Sequence, residues 1–242
     1  MNLVEALEAD GGVVSVVGAG GKKTTLYALA ERTDRAVVTA TVRIPIFDER
    51  VADVVVTDAP RTAVEDVTAW PLGVVPERER SDRYRGYDPA TVTALGDDSP
   101  ADVVLVKADG ARTRLLKAPD RNEPQIPAGT DTVVPIASAR VVGKPLDDEH
   151  VHRPELVAEL TGREEGEPIR PVDVATVLAS EQGGRKRVPG GATVVPVVNM
   201  VDDADLEATG REVARAVLER ADVPRVVLAR MVAPEPVVAV VD

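Results

Sequence analysis

The chain has no cysteine and, in 242 residues, one Trp, three Tyr and one Phe. Without cysteine there is no disulfide, no thiolate metal site and no cysteine nucleophile. With aromatics at 2% of a composition that is 44% hydrophobic, small aliphatic side chains, Val and Ala above all, must pack the core. No apolar run approaches the roughly 20 residues that a membrane-spanning helix needs. Residues 1–12 are acidic and carry no signal-peptide pattern, so a cytoplasmic protein without membrane contact is expected. Lysine is scarce as well, occurring at positions 22, 23, 107, 117, 144 and 186 against 41 Asp and Glu. The net charge of −12 argues against a broad grip on nucleic acid. It reads instead as the solvated acidic surface of a halophilic protein. An anionic ligand would therefore need a local basic pocket, and two adjacent lysines are informative in such a chain.

Those lysines sit in Val13-Val14-Ser15-Val16-Val17-Gly18-Ala19-Gly20-Gly21-Lys22-Lys23-Thr24-Thr25-Leu26, an apolar run that breaks into glycines, then lysines, then hydroxyls. The pattern predicts a buried strand, a tight turn and the first turn of a helix. Glycines at 18, 20 and 21 let backbone N–H groups approach phosphate oxygens, and the helix start adds the positive end of its dipole. A lysine supplies charge to the outer phosphates, and the following hydroxyl, Thr24, is the candidate magnesium ligand. The strict phosphate-loop pattern G-x-x-x-x-G-K-[ST] would put Lys23 and Thr24 in register, but Val17 and Lys22 stand at its two glycine positions. Either lysine can face the phosphates, and the register of Lys23 with Thr24 makes Lys23 the catalytic candidate, with Asp109. The dinucleotide pattern G-x-G-x-x-G fits less well, because Lys23 replaces its third glycine. Residues 18–25, including Ala19 and Thr25, form the candidate nucleotide cradle, with ATP or GTP and Mg as cofactors.

Along the rest of the chain, strands are expected at 36–42, 52–57, 70–75, 102–106, 130–137, 193–198, 225–228 and 237–241. Helices are expected at 2–9, after the glycine loop to about 33, and at 89–96, 154–161, 171–180 and 205–221. The alternation predicts an α/β fold, a three-layer, mainly parallel sheet with helices on both faces. A single domain over 1–242 is expected, with an irregular insertion near 58–100 whose charged run, 76–88, reads as solvated surface. Thr41, at the carboxyl end of its strand, is a further candidate metal ligand. Asp109 follows the apolar run 102–106, where a carboxylate can hold magnesium directly or through water. Asn199-Met200-Val201-Asp202 follows another strand and resembles the guanine-reading N-K-x-D loop, with Met200 in place of lysine. Asn199 would brace the loop and Asp202 read the base; the alternative is a loop that caps the next helix, with Asp203 or Asp202 as its N-cap. Lys117, His152 and Arg153 are candidates for contacting a substrate or partner; the pair His150 and His152 is weak evidence for metal.

Taken together, VVGAGGKKTTL, VLVKADGARTRLLKAPDRNEPQIP, VVGKPLDDEHVHRPELVAELTG and VVPVVNMVD resemble the YqeC-type accessory proteins of selenium-dependent hydroxylases over nearly the whole chain. The resemblance implies a P-loop-like nucleotide-binding fold and a role in maturing selenium- or molybdenum-dependent hydroxylases, with the hydroxylase or its cofactor-assembly proteins as partners. Carried over, it sets Gly18, Gly20, Gly21 and a lysine at the phosphates, Asp109 in the V-E-A-D-G position, and Asn199 with Asp202 at the base. Two departures stand out: Lys107 replaces the family's usual glutamate, and Lys22-Lys23 replaces a single lysine. If that glutamate serves hydrolysis, this chain binds nucleotide and turns it over poorly. The expected function is a magnesium-dependent NTP-binding protein and NTPase. Two alternatives are an NTP-dependent kinase or ligase acting on a small metabolite, and a non-catalytic module holding an anion such as selenophosphate or molybdate.

Overall fold

The computed structural model describes residues 1–97 and 99–242; Asp98, inside the 58–100 stretch, lies outside the described residues. The strands are β1 (Gly12–Gly18), β2 (Ala36–Ala40), β3 (Ile44–Pro45), β4 (Asp53–Val56), β5 (Leu72–Val75), β6 (Arg83–Tyr84) and β7 (Val103–Lys107). They continue as β8 (Leu116–Lys117), β9 (Thr132–Ser138), β10 (Val151–His152), β11 (Thr193–Val194), β12 (Val197–Asn199), β13 (Val226–Ala229) and β14 (Val237–Val241). The helices are α1 (Leu3–Ala6), α2 (Lys22–Ala30), α3 (Pro60–Glu65), α4 (Pro89–Gly96), α5 (Pro154–Thr161), α6 (Pro171–Ala179) and α7 (Ala204–Leu218).

The large sheet runs β14-β13-β12-β9-β1-β7-β2-β5-β4, with β11 also on β9, and every pairing in it is parallel except β13 with β14. Strands buried on both faces need apolar residues at consecutive positions, and the valine runs supply them. Val14 and Val16 of β1 join Leu26 and Leu29 of α2 on one face, while Val13 meets Val92 and Leu95 of α4 on the other. Further along, Val226 and Leu228 of β13 pack with α6 and α7, and Val227 and Ala229 turn to the α2 side. The result is the expected three layers, α on β on α. No helix among the described residues is long and apolar enough to cross a membrane.

Two details differ from the sequence expectation. The 193–198 run is interrupted, with β11 ending opposite Val133 and β12 starting opposite Ile136. Pro135 falls in the gap on β9 and Pro196 in the gap between the two short strands. Proline has no N–H to donate to a ladder, which accounts for the break. The charged run 76–88 is not merely solvated: β6 pairs with β3, Tyr84 is buried against Phe47, and its hydroxyl donates to Asp48 at 2.8 Å. One large aromatic outweighs its charged neighbours because it buries far more apolar surface than they lose.

Asp173, at the start of α6, tests how a buried charge is held in this fold. Its carboxylate accepts from the Arg170 amide at 2.9 Å, the Arg170 guanidinium at 2.9 Å and Arg163 Nε at 3.3 Å. Burial alone pushes this carboxyl up, but the Arg170 hydrogen bonds, with Arg163, outweigh it and hold the group below the usual Asp range. A depressed native pKa stabilises the fold above the unfolded value near 3.9, and the contribution is lost as pH falls through the native value. Asp173→Ala is expected to cost about 3 kcal/mol at pH 7 by chemical denaturation. The gap to the parent should narrow below about pH 4; a gap constant from pH 7 to pH 3 would contradict the assignment.

Candidate functional site

The parallel register aligns the carboxyl ends of the central strands. Gly18 of β1 lies opposite Ile136 of β9, Ala40 of β2 opposite Lys107 of β7, and Asn199 of β12 opposite Ser138. From β1 the chain crosses to β2 on one side, whereas β9 leads to β12 on the other, so β1 and β9 flank the point where the winding reverses. Ligands of open α/β sheets collect outside the carboxyl ends at such a point. Here a cavity of about 670 Å³ opens at that edge.

The turn from β1 into α2 is fixed by the fold. Gly18, Gly20 and Gly21 have φ of 89°, 85° and 133°. A Cβ on Gly18 would meet Ile136 O at 2.3 Å, and one on Gly21 would meet Asn199 Nδ2 at 2.1 Å. The glycines are therefore required by close packing, whatever the ligand. The amides of Gly18, Ala19 and Gly20 are spent on Asp109 Oδ2, Ile136 O and Arg114 O. Those of Gly21, Lys22, Lys23 and Thr24 have no acceptor among the described residues, the first intrahelical bond being Thr25 N to Gly21 O. Four consecutive orphan N–H groups at a helix start make an anion cradle. The cradle thus begins at Gly21, not at Gly18.

Lys22, not Lys23, turns inward. Its ammonium lies 2.9 Å from Asp109 Oδ1 and also donates to Gly18 O. Burial lowers its pKa, with Asp109 opposing the shift. Lys23 and Thr24 line the cavity and are half-buried. The Thr25 hydroxyl bonds back to Gly21 O at 3.1 Å.

Asp109 is the hub. Oδ2 takes the Gly18 amide at 2.9 Å and Lys117 Nζ at 3.0 Å, while Oδ1 has the Lys22 ammonium at 2.9 Å as its close partner. Lys117 also reaches Glu123 at 2.7 Å and Gly110 O, and its side chain is fully enclosed, so it does not line the cavity. Glu123 in turn accepts from the Gly110 amide at 3.1 Å and from Arg153 at 2.7 Å. Burial would raise its pKa, but Lys117, the Gly110 amide and Arg153 together hold it below the usual range. Sequence reasoning missed Glu123, whose signal was its place in the K-A-P…E-P stretch.

Two further basic groups face the cavity. Lys107 ends β7 and donates to Arg43 O and Asp109 O, both at 2.8 Å. Burial, reinforced by Lys22, pushes its pKa down to about 7. His152 is brought to about 4 by burial and then by Arg153 and Lys117, so its ring is neutral at pH 7. The chain after Gly110 passes through left-handed backbone at Arg112 and Thr113, φ 46° and 65°. Such conformations cost about 1–3 kcal/mol each and persist where surroundings enforce them. Here Gly20 N on Arg114 O and Leu115 N on His150 O hold the loop, which brings Arg112 and Arg114 to the mouth. Lys22, Lys23, Lys107, Arg43, Arg83, Arg112, Arg114 and Arg153 line the cavity, and Glu123 is the only carboxylate among its described lining residues. In a chain of net charge −12, this is the local basic pocket that an anionic ligand needs.

The remaining candidates sit as follows. Asn199 braces the turn, its Nδ2 donating to Gly20 O at 2.8 Å and its Oδ1 accepting from the Met231 amide at 3.2 Å. Met200, with φ of 61°, lines the cavity. Asp202 is outside the lining and is paired with Arg140 at 2.6 Å; Asp203, not Asp202, caps α7. The Thr41 hydroxyl donates to Gln125 O at 2.6 Å.

A family model described as YqeC protein matches residues 14–155, a span holding the glycine turn, Asp109, Glu123, His152 and Arg153 but not Asn199. The Escherichia coli (strain K12) protein named Uncharacterized protein YqeC is 30% identical over 193 residues, which cover 77% of this chain and 75% of that protein. On both comparisons, the chain belongs to the YqeC protein family.

Proposed function

We propose that this chain binds a nucleoside triphosphate with magnesium at the carboxyl edge of its sheet and acts as a slow NTP-hydrolysing switch. The carrying observation is the run of acceptor-free amides from Gly21 to Thr24, beside the inward-facing Lys22, in a cavity whose described lining carries several lysines and arginines against one carboxylate, Glu123. Phosphates seated on those amides gain the helix dipole and charged hydrogen bonds together. Lys22 then exchanges Asp109 for phosphate oxygens. That exchange would leave Asp109 Oδ1 buried with no partner, and a carboxylate oxygen is a hard donor suited to magnesium. Asp109 and the Thr24 hydroxyl are thus the residues that would hold the ion, whose contribution when bound is to neutralise phosphate charge. With Lys107 in the position of the family's usual glutamate, that position offers no carboxylate to orient a water, which favours binding over rapid turnover. The base, adenine or guanine, would lie toward Met200 and Asn199. The biological role, assisting maturation of a selenium- or molybdenum-dependent hydroxylase, is the one the family resemblance implies.

Isothermal titration of ATP and GTP, with and without magnesium and in high salt to suit the acidic surface, tests binding. Saturable binding that tightens with magnesium is expected, with slow phosphate release that speeds up when a client protein is added. Transfer of label to a small molecule would instead favour a kinase or ligase, and no nucleotide binding would overturn the reading.

A further inference from the structure

Lys107 is a buried lysine with no ion-pair partner among the described residues. Its side chain lines the cavity, and the residue is 6% exposed. Two of its three N–H groups are taken by the Arg43 and Asp109 carbonyls, and no carboxylate lies within ion-pair distance of it among the described residues. The nearby carboxylates are already in use: Asp109 serves Lys22 and Lys117, and Glu123 serves Lys117 and Arg153. Keeping an ammonium buried without a close counter-charge is costly. The two carbonyl contacts leave the third N–H of its charged form without a partner. An anion in the cavity, which Arg112 also lines, would take that N–H and favour the charged form.

We propose that Lys107 forms a subsite for a compact, phosphate-type oxyanion, separate from the amide cradle at the start of α2. The oxyanion is either the terminal phosphoryl of a nucleotide or an independent ion or substrate group. The subsite goes beyond the nucleotide reading and does not depend on it, since Lys107 belongs to a different strand.

The test is titration of the full chain with inorganic phosphate, a nucleoside diphosphate and the matching triphosphate, for the parent, Lys107→Met and Lys107→Arg. In Lys107→Met, either phosphate affinity or the preference for triphosphate over diphosphate should fall about tenfold or more, and Lys107→Arg should stay within about threefold. Loss of phosphate binding in the presence of saturating diphosphate identifies an independent oxyanion; loss of the triphosphate preference identifies the terminal phosphoryl. Should Lys107→Met not fold, the ammonium resonance of Lys107 in the parent must shift on adding phosphate or triphosphate, and an unmoved resonance overturns the subsite. So does Lys107→Met binding all three probes like the parent, or a folded parent that binds none. Nucleotide binding without dependence on Lys107 removes the subsite alone; phosphate binding through Lys107 without any nucleotide binding removes the nucleotide reading alone.

Discussion

Lys22→Met is expected to weaken nucleotide binding by about 100-fold, equivalent to ~2.7 kcal/mol, while Lys23→Met changes it by less than about threefold. The asymmetry follows from the geometry. The Lys22 ammonium lies 2.9 Å from Asp109, whereas Lys23 is half-buried in the cavity lining and has no ion pair among the described residues. Stability should move little. Burial already disfavours the Lys22 ammonium, so its removal relieves a desolvation cost while stripping Asp109 Oδ1 of its one close cation. A folded Lys22→Met protein that binds nucleotide like the parent would show that the buried lysine is purely structural. If Lys23→Met were the variant that lost binding, the ligand would engage Lys23 rather than Lys22.

The second large effect is on the fold itself. Asp109→Asn is expected to lower the unfolding free energy by about 3–5 kcal/mol, because it leaves Lys22 and Lys117 buried against a neutral amide. That is a large share of the ~5–15 kcal/mol typical of a domain. Charge explains the loss better than shape does, since the asparagine oxygen can still accept from the Gly18 amide. A double-mutant cycle separates the two. Lys22→Met combined with Asp109→Asn should be less damaging than the sum of the single changes by about 1–3 kcal/mol in denaturant titrations. Strict additivity would mean that the lysine and the aspartate do not support each other.

Much of this arrangement is legible in the sequence. The valine runs at β1, β7 and β9 are apolar at consecutive positions, which suits a parallel strand covered on both faces and little else. The glycine turn and Asp109 follow from where those runs stop. The illegible parts depend on contacts between distant residues. Lys22 and Lys23 are about 100° apart on a helix, so a shift of one residue in the helix start exchanges their roles. Lys117, which pairs with Asp109, and Glu123, which pairs with Lys117, come from a proline-punctuated stretch, a two-residue strand and the loop after it, with no periodicity to read. Tyr84 hid in a run of charges, and the break between β11 and β12 reflects two prolines about 60 positions apart. Asp202 looked like a base reader because its spacing from Asn199 fits, yet Arg140 from the neighbouring 138–142 turn pairs with it instead.

The decisive experiment is a co-crystal with magnesium and a non-hydrolysable nucleoside triphosphate. Phosphate oxygens are expected on the amides of Gly21 to Thr24, with the Lys22 ammonium moved from Asp109 onto them. A nucleotide bound elsewhere, or the Lys22 contact to Asp109 unchanged with those amides bare, would contradict it.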